Sequence, residues 1–136
     1  MMPSGGKFIL DACALLRLLQ DEPGADRIAM MLQGASARKH RVQMHIINLG
    51  EVIYSIGKAF GWEVAQRKRE EIQLLPISII PFSDHMFWKA VELKSKFAMS
   101  YADCFAAAAA ILEDATLLTS DPEFRVVNRL VKIEHV

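Results

Sequence analysis

Hydrophobic and polar positions change period several times along the chain, and each change predicts an element. Residues 7–10, "KFIL", form a short apolar run behind Gly5 and Gly6, which suits a strand covered on both faces. From Ala12 the spacing becomes helical through Leu15, Leu16, Leu18 and Leu19, and Pro23 and Gly24 break it. Ile28, Met31 and Leu32 recur at helical intervals over 25–37. "RVQMHII" (41–47) alternates as a strand, and "NLGEVIYSIGKAF" (48–60) lays Leu49, Val52, Ile53, Ile56 and Phe60 along a helix with Glu51 near its start. A further amphipathic helix, "WEVAQRKREEIQLL" (62–75), ends before Pro76, and "ISII" is a strand between Pro76 and Pro81. Ser83 or Asp84 then caps a helix running toward Phe97, and "SYADCFAAAAAILED" (100–114) is another. "TLLTS" is a strand, "DPEFRVV" a helical turn, and "LVKIEHV" a closing strand.

Strands and helices alternate without a repeat or a linker, which predicts one three-layer α/β/α domain over residues 1–136 with a mostly parallel sheet and a flexible arm at 1–6. Ligands of such sheets gather at the carboxyl ends of the strands.

Composition narrows the classes. With 52% hydrophobic residues the chain has material for one proper core. Cys13 and Cys104 lie far apart and match no paired-ligand spacing, so neither a disulfide framework nor a thiolate metal site is expected. Sixteen basic and sixteen acidic residues cancel, which removes the global positive field that announces many nucleic-acid binders. No apolar run approaches the ~20 residues of a membrane helix, and the start of the chain lacks a signal-peptide core. A soluble, cytoplasmic protein is expected.

Four acids stand out by position. Asp11 closes the first strand and opens a helix, and an N-cap role alone would explain it. Asp103 completes the spacing of a capping box begun by Ser100, and Asp121 before Pro122 is an ordinary helix start. Glu51 reads as an exposed helical glutamate, except that its neighbours Leu49, Val52 and Ile53 are apolar. As a set they mean more, because all four are predicted at strand ends or helix starts on one side of the sheet. Several carboxylates held together in a partly dry cleft either take up protons or recruit a cation. Oxygen ligands without a cysteine or a His-x-x-x-His pair favour Mg²⁺ or Mn²⁺ over zinc.

These segments resemble the PIN domains, and among them the VapC-type toxins of toxin-antitoxin pairs. "FILDACALL" looks like the opening Asp motif, "INLGEVIYSI" like the helix carrying the Glu, "SYADCFAAAAAI" like the Asp-bearing helix, and "LLTSDPEF" like the closing Thr-x-Asp motif. The resemblance covers nearly the whole chain. It implies a metal-dependent endoribonuclease with Asp11, Glu51, Asp103 and Asp121 as the acidic site, using Mg²⁺ or Mn²⁺ and leaving 5′-phosphate and 3′-hydroxyl ends. Asp11 and Asp103 would be the most direct ligands, with Thr119 orienting a ligand or phosphate. Cys13 stands where the family usually has Ser or Thr, and a thiol supports Asp11 less well. The family also implies a homodimer and a small antitoxin partner, for which the apolar helices between Leu49 and Leu75 would offer surface.

Of the basic residues, Arg125, near Asp121, is the best expected RNA contact, whereas "RKHR" (38–41) and "RKR" (67–69) read as solvated faces. The four histidines show no ligand spacing and suit surface or capping roles. Three other readings compete. A receiver-like Mg²⁺-binding signalling module would need paired acids after the first strand and a Lys closing a late one, and "TLLTSD" lacks the latter. A catalytically inactive PIN scaffold binding RNA or protein would have no reason to hold four mutually repelling carboxylates. A dinucleotide-binding domain would need a glycine-rich turn that "ILDACALL" does not contain.

Overall fold

The computed structural model describes residues 6–136, so all but Gly6 of the expected N-terminal arm lies outside the described residues. Five strands form one sheet in the order β3-β2-β1-β4-β5, with every neighbouring pair parallel. They are β1 (Lys7–Leu10), β2 (Arg41–His45), β3 (Ser78–Ile80), β4 (Thr116–Thr119) and β5 (Lys132–His135). Six α-helices intervene: α1 (Ala12–Leu19), α2 (Ala25–Ser36), α3 (Ile46–Phe60), α4 (Trp62–Gln73), α5 (Asp84–Lys96) and α6 (Tyr101–Leu112). A 3-10 helix, Pro122–Val127, precedes β5.

The side-chain period of two in the central strands divides the core into two layers. Leu10 and Leu118 face one way and pack with α1, α2, α3 and α4 through Leu15, Ile28, Val52 and Ile56. Ile9 and Leu117 face the other way, against α5, α6 and the 3-10 helix, where Ala90, Leu93, Phe105 and Phe124 are buried. This is the expected three-layer α/β/α arrangement, with a sheet that is parallel throughout. Among the described residues no helix is long and apolar enough to cross a membrane.

One boundary departs from expectation. The alternation over 41–47 predicted a strand through Ile47, yet β2 ends at His45 and Ile46 and Ile47 open α3. His45 is the cause, because its Nδ1 accepts the Ile47 amide at 3.0 Å and caps the helix. Starting the helix earlier moves Glu51 from the first turn into the second.

Candidate active site

The parallel sheet sets the site. β1 and β4 are neighbours in the centre of the sheet, so their carboxyl ends put Asp11 beside the Thr119–Asp121 segment. Asp11 is buried, with 2% of its surface exposed. Its Oδ1 accepts the Ala14 amide at 2.8 Å, as an N-cap should, and its Oδ2 accepts the Thr119 hydroxyl at 2.5 Å. The same Thr119 oxygen accepts the Asp121 amide at 2.9 Å, so one buried hydroxyl ties the two acids into a fixed relation. Asp121 Oδ1 in turn accepts the Glu123 amide at 2.9 Å, which starts the 3-10 helix. Capping and site-building therefore coexist at Asp11 and Asp121.

Asp103 enters from α6. Its amide is capped by Ser100 Oγ at 3.1 Å, while the return bond to the Ser100 amide that would complete a capping box is absent among the described residues. Carboxylate oxygens of Asp103, Asp121 and Glu123 lie within 4.8 Å of one another, a spacing that one cation can bridge. Glu51, on the second turn of α3, is half-buried and close enough to feel Asp121 and to be felt by Asp103.

Protonation behaviour reflects this crowding. Burial pushes the Asp11 carboxyl up from the ordinary 3.8 to about 7, the Thr119 and Ala14 hydrogen bonds oppose it, and the charges of Asp103 and Asp121 add to it. Asp103 rises to about 6, chiefly through burial, with Ser100 opposing and Asp121, Glu51 and Glu123 adding repulsion. Glu51 is raised as well, by burial first and Asp121 second. At each of the three, the charge of neighbouring carboxylates adds to the effect of burial. The cluster is thus a concentration of negative charge that a divalent ion would relieve, and its all-oxygen donor set suits a hard ion.

Of the four acids read from the sequence, the structure gathers Asp103 and Asp121 into one compact group and sets Asp11 and Glu51 within electrostatic reach of it. Glu123 is the residue that sequence reading missed. An acid two places after Asp121 in a helical turn returns to the same end of the sheet, but a turn this short carries no period in the sequence that shows it. Arg17 was also passed over. It lies one turn beyond Cys13 on α1, and its Nε donates to Ser120 Oγ at 3.3 Å at the edge of the cluster. Cys13 is exposed, and burial together with the Asp11 charge raises its thiol while Ser120 opposes them. The bonds that hold Asp11 come from Thr119 and Ala14 rather than from Cys13. Arg125 is exposed on the 3-10 helix that Asp121 caps.

Thr119 can be tested on its own. Thr119→Val keeps the shape, removes the donor to Asp11 and strands the Asp121 amide, so denaturant unfolding should show a loss of about 1–3 kcal/mol. Thr119→Ser should recover most of it. Equal stability of the Val variant and the wild type would remove the hydroxyl from this account.

Comparison with known proteins agrees with the geometry. The model of the PIN domain matches residues 8–130. The chain belongs to the PIN domain family. Among curated proteins, no sequence matches this PIN chain. Several solved structures share its fold. One is of VapBC2 from Rickettsia felis bound to a DNA fragment from their promoter, at TM-score 0.73 and 21% identity over 95% of this chain and 98% of that one. DNA-bound VapBC from Salmonella typhimurium matches at TM-score 0.74 and 18% identity, over 95% and 97%. VapC20 of Mycobacterium tuberculosis, described as a sarcin-ricin loop cleaving toxin, matches at TM-score 0.72 and 14% identity over 88% and 94%. At these identities the likeness is one of fold.

Proposed function

We propose that this PIN domain is a VapC-type, metal-dependent endoribonuclease that hydrolyses RNA phosphodiester bonds as the toxin of a toxin-antitoxin pair. The observation that carries the reading is the concentration of carboxylates at the carboxyl ends of β1 and β4, with Asp103, Asp121 and Glu123 within bridging distance of one another. A PIN fold shared with VapBC complexes and with a sarcin-ricin loop cleaving toxin supports it. Mg²⁺ or Mn²⁺ suits the donor set, and when bound such an ion acidifies water and offsets charge on the phosphate.

The residues have distinct tasks in this scheme. Asp103, Asp121 and Glu123 would hold the ion, with Asp11 at the strand end as a further ligand. Glu51 would complete the negative charge around the ion or accept a proton from the attacking water. Thr119 fixes the Asp11 carboxylate through the hydroxyl bond to Oδ2. Arg125 meets the RNA backbone, and Arg17 lies near enough to share that load.

The same reading brings a cognate antitoxin, a homodimer and a cytoplasmic single-domain protein. Exposed Tyr54, Phe60 and Trp62 on α3 and α4, and a cavity of about 430 Å³ lined by Leu19, Gln20, Ile56, Phe60, Val64 and Lys68, support an apolar protein partner there. The mass by light scattering, alone and after mixing with the antitoxin, reads both associations.

Incubating the purified protein with a mixed pool of structured RNAs and Mn²⁺ tests the activity itself. Cleavage that EDTA stops, with 5′-phosphate and 3′-hydroxyl ends, is the expected result. Cleavage indifferent to EDTA, or intact RNA across the pool at saturating Mn²⁺, would sink the proposal.

A further inference from the structure

We infer that Asn48 is a positioning residue of the acidic site, setting Asp103 against Glu51; the inference rests on the metal-dependent reading above. Asn48 lies in the first turn of α3 and is wholly buried. Its Nδ2 donates to the Ala102 carbonyl at 3.0 Å, across 54 residues of sequence. Ala102 immediately precedes Asp103, and Glu51 sits three places after Asn48 on the same face of α3. One carboxamide therefore joins the first turn of α6, which carries Asp103, to the first turn of α3, on which the Glu51 turn stacks.

Stability alone gives this bond little reason. The Ala102 carbonyl belongs to the first turn of α6, where the amide four residues on already supplies a donor. Asn48 Oδ1 is buried without a partner among the described residues, so the side chain carries a desolvation penalty that an apolar residue of the same shape would avoid. The amide cannot be turned to relieve it, because an oxygen facing the Ala102 carbonyl would repel it.

The site does give it a reason. Asp103 and Glu51 carry like charges on the two packed helices α6 and α3, so their repulsion opposes that packing. The buried stretch of α6 behind Phe105 consists of Ala106 to Ala110, whose methyl groups form shallow ridges that resist sliding poorly. A directional bond at the start of α6 supplies the axial restraint that this smooth face lacks.

Asn48→Leu separates the two roles, since leucine is close in shape, lacks the donor and removes the orphaned oxygen. Three measurements on the full chain read it: metal-free melting, Mn²⁺ affinity by calorimetry, and amide exchange in the first turn of α6. The Leu variant should melt at or above the wild-type temperature. Its Mn²⁺ affinity should fall roughly 10–100-fold, as expected for loss of a group that orients ligands. Its Asp103 to Phe105 amides should exchange about tenfold or more faster without metal, while those of α2 are unchanged. Asn48→Ala should lose the same metal affinity but also melt lower, because it leaves a cavity.

A folded Leu variant that binds Mn²⁺ within about twofold of the wild type overturns the inference, and so does wild-type exchange at the start of α6. A wild type that binds no Mn²⁺ has a different meaning. It removes the metal-dependent reading, and the exchange data then decide alone whether Asn48 holds the two turns together.

Discussion

Asp11→Asn is expected to abolish RNA cleavage, to weaken Mn²⁺ binding by more than roughly a hundredfold, and yet to give a metal-free protein that melts higher than the wild type at pH 8. The first two losses follow from removing a ligand charge, which should cost more than disturbing a group that only orients ligands. The gain follows from burial. With its carboxyl raised to about 7 and almost no exposure, Asp11 ionises in the folded chain only against a penalty, on the order of 4 kcal/mol at 1.4 kcal/mol per tenfold. Asparagine keeps an oxygen for the Ala14 amide and carries no charge, so part of that penalty, about 1–2 kcal/mol after packing and hydrogen-bond losses, should return as stability. The advantage has a pH signature. It should vanish below about pH 3, where Asp11 is protonated in both states, grow between about pH 4 and pH 7, and level off above. Thermal melts at pH 5 and pH 8 without metal, beside calorimetric Mn²⁺ titrations, measure all of it. A variant that is destabilised equally at both pH values and still binds Mn²⁺ would return Asp11 to the role of a helix cap.

That double nature explains what the sequence could and could not reveal. A strand ending on an acid before an apolar helix was legible at Asp11 because the pattern breaks there abruptly, and the same holds for Asp121 after "TLLTS". Asp103 was legible through its spacing from Ser100, and the cap it predicts is present. Boundaries were read less well where the capping group was unusual. Nothing about His45 in the sequence says that its ring will accept the Ile47 amide, so the apolar pair Ile46–Ile47 was read as strand when it is helix. Glu123 was missed for a related reason, because an acid in a short turn has no period to betray its direction. Asn48 lies further from view. A lone asparagine among Ile47, Leu49 and Val52 reads as a break in an apolar face, and only the packing of α3 on α6 shows that its amide has a carbonyl to meet. Local pattern names the residues that start and stop elements, whereas contacts between elements distant in sequence must be seen.

The second large effect is the opposition between pH and metal. Asp11, Asp103 and Glu51 all have carboxyls raised by folding, so between their ordinary and raised values the folded chain holds more protons than the unfolded one. Their contribution to the stability of the metal-free protein should therefore be fully present below about pH 4 and be lost as pH rises from there through about 7. The contribution of Glu134 has the reverse sign, because Arg27 lowers its carboxyl, but that acid is already ionised above pH 5 and leaves the window clear. Metal binding needs the carboxylates ionised, so Mn²⁺ affinity should climb over the same range, by up to about tenfold per pH unit for each proton displaced. With Asp11 at about 7 and Asp103 at about 6, binding at pH 6 should release between one and two protons, and at pH 8 almost none. Calorimetry in buffers of different ionisation enthalpy counts those protons directly. A release near zero at pH 6, with affinity flat from pH 5.5 to 8, would mean that the acids are ionised before the ion arrives. Burial would then not be the force that shapes this site, and the repulsion invoked to explain its need for a cation would have to be screened by solvent instead.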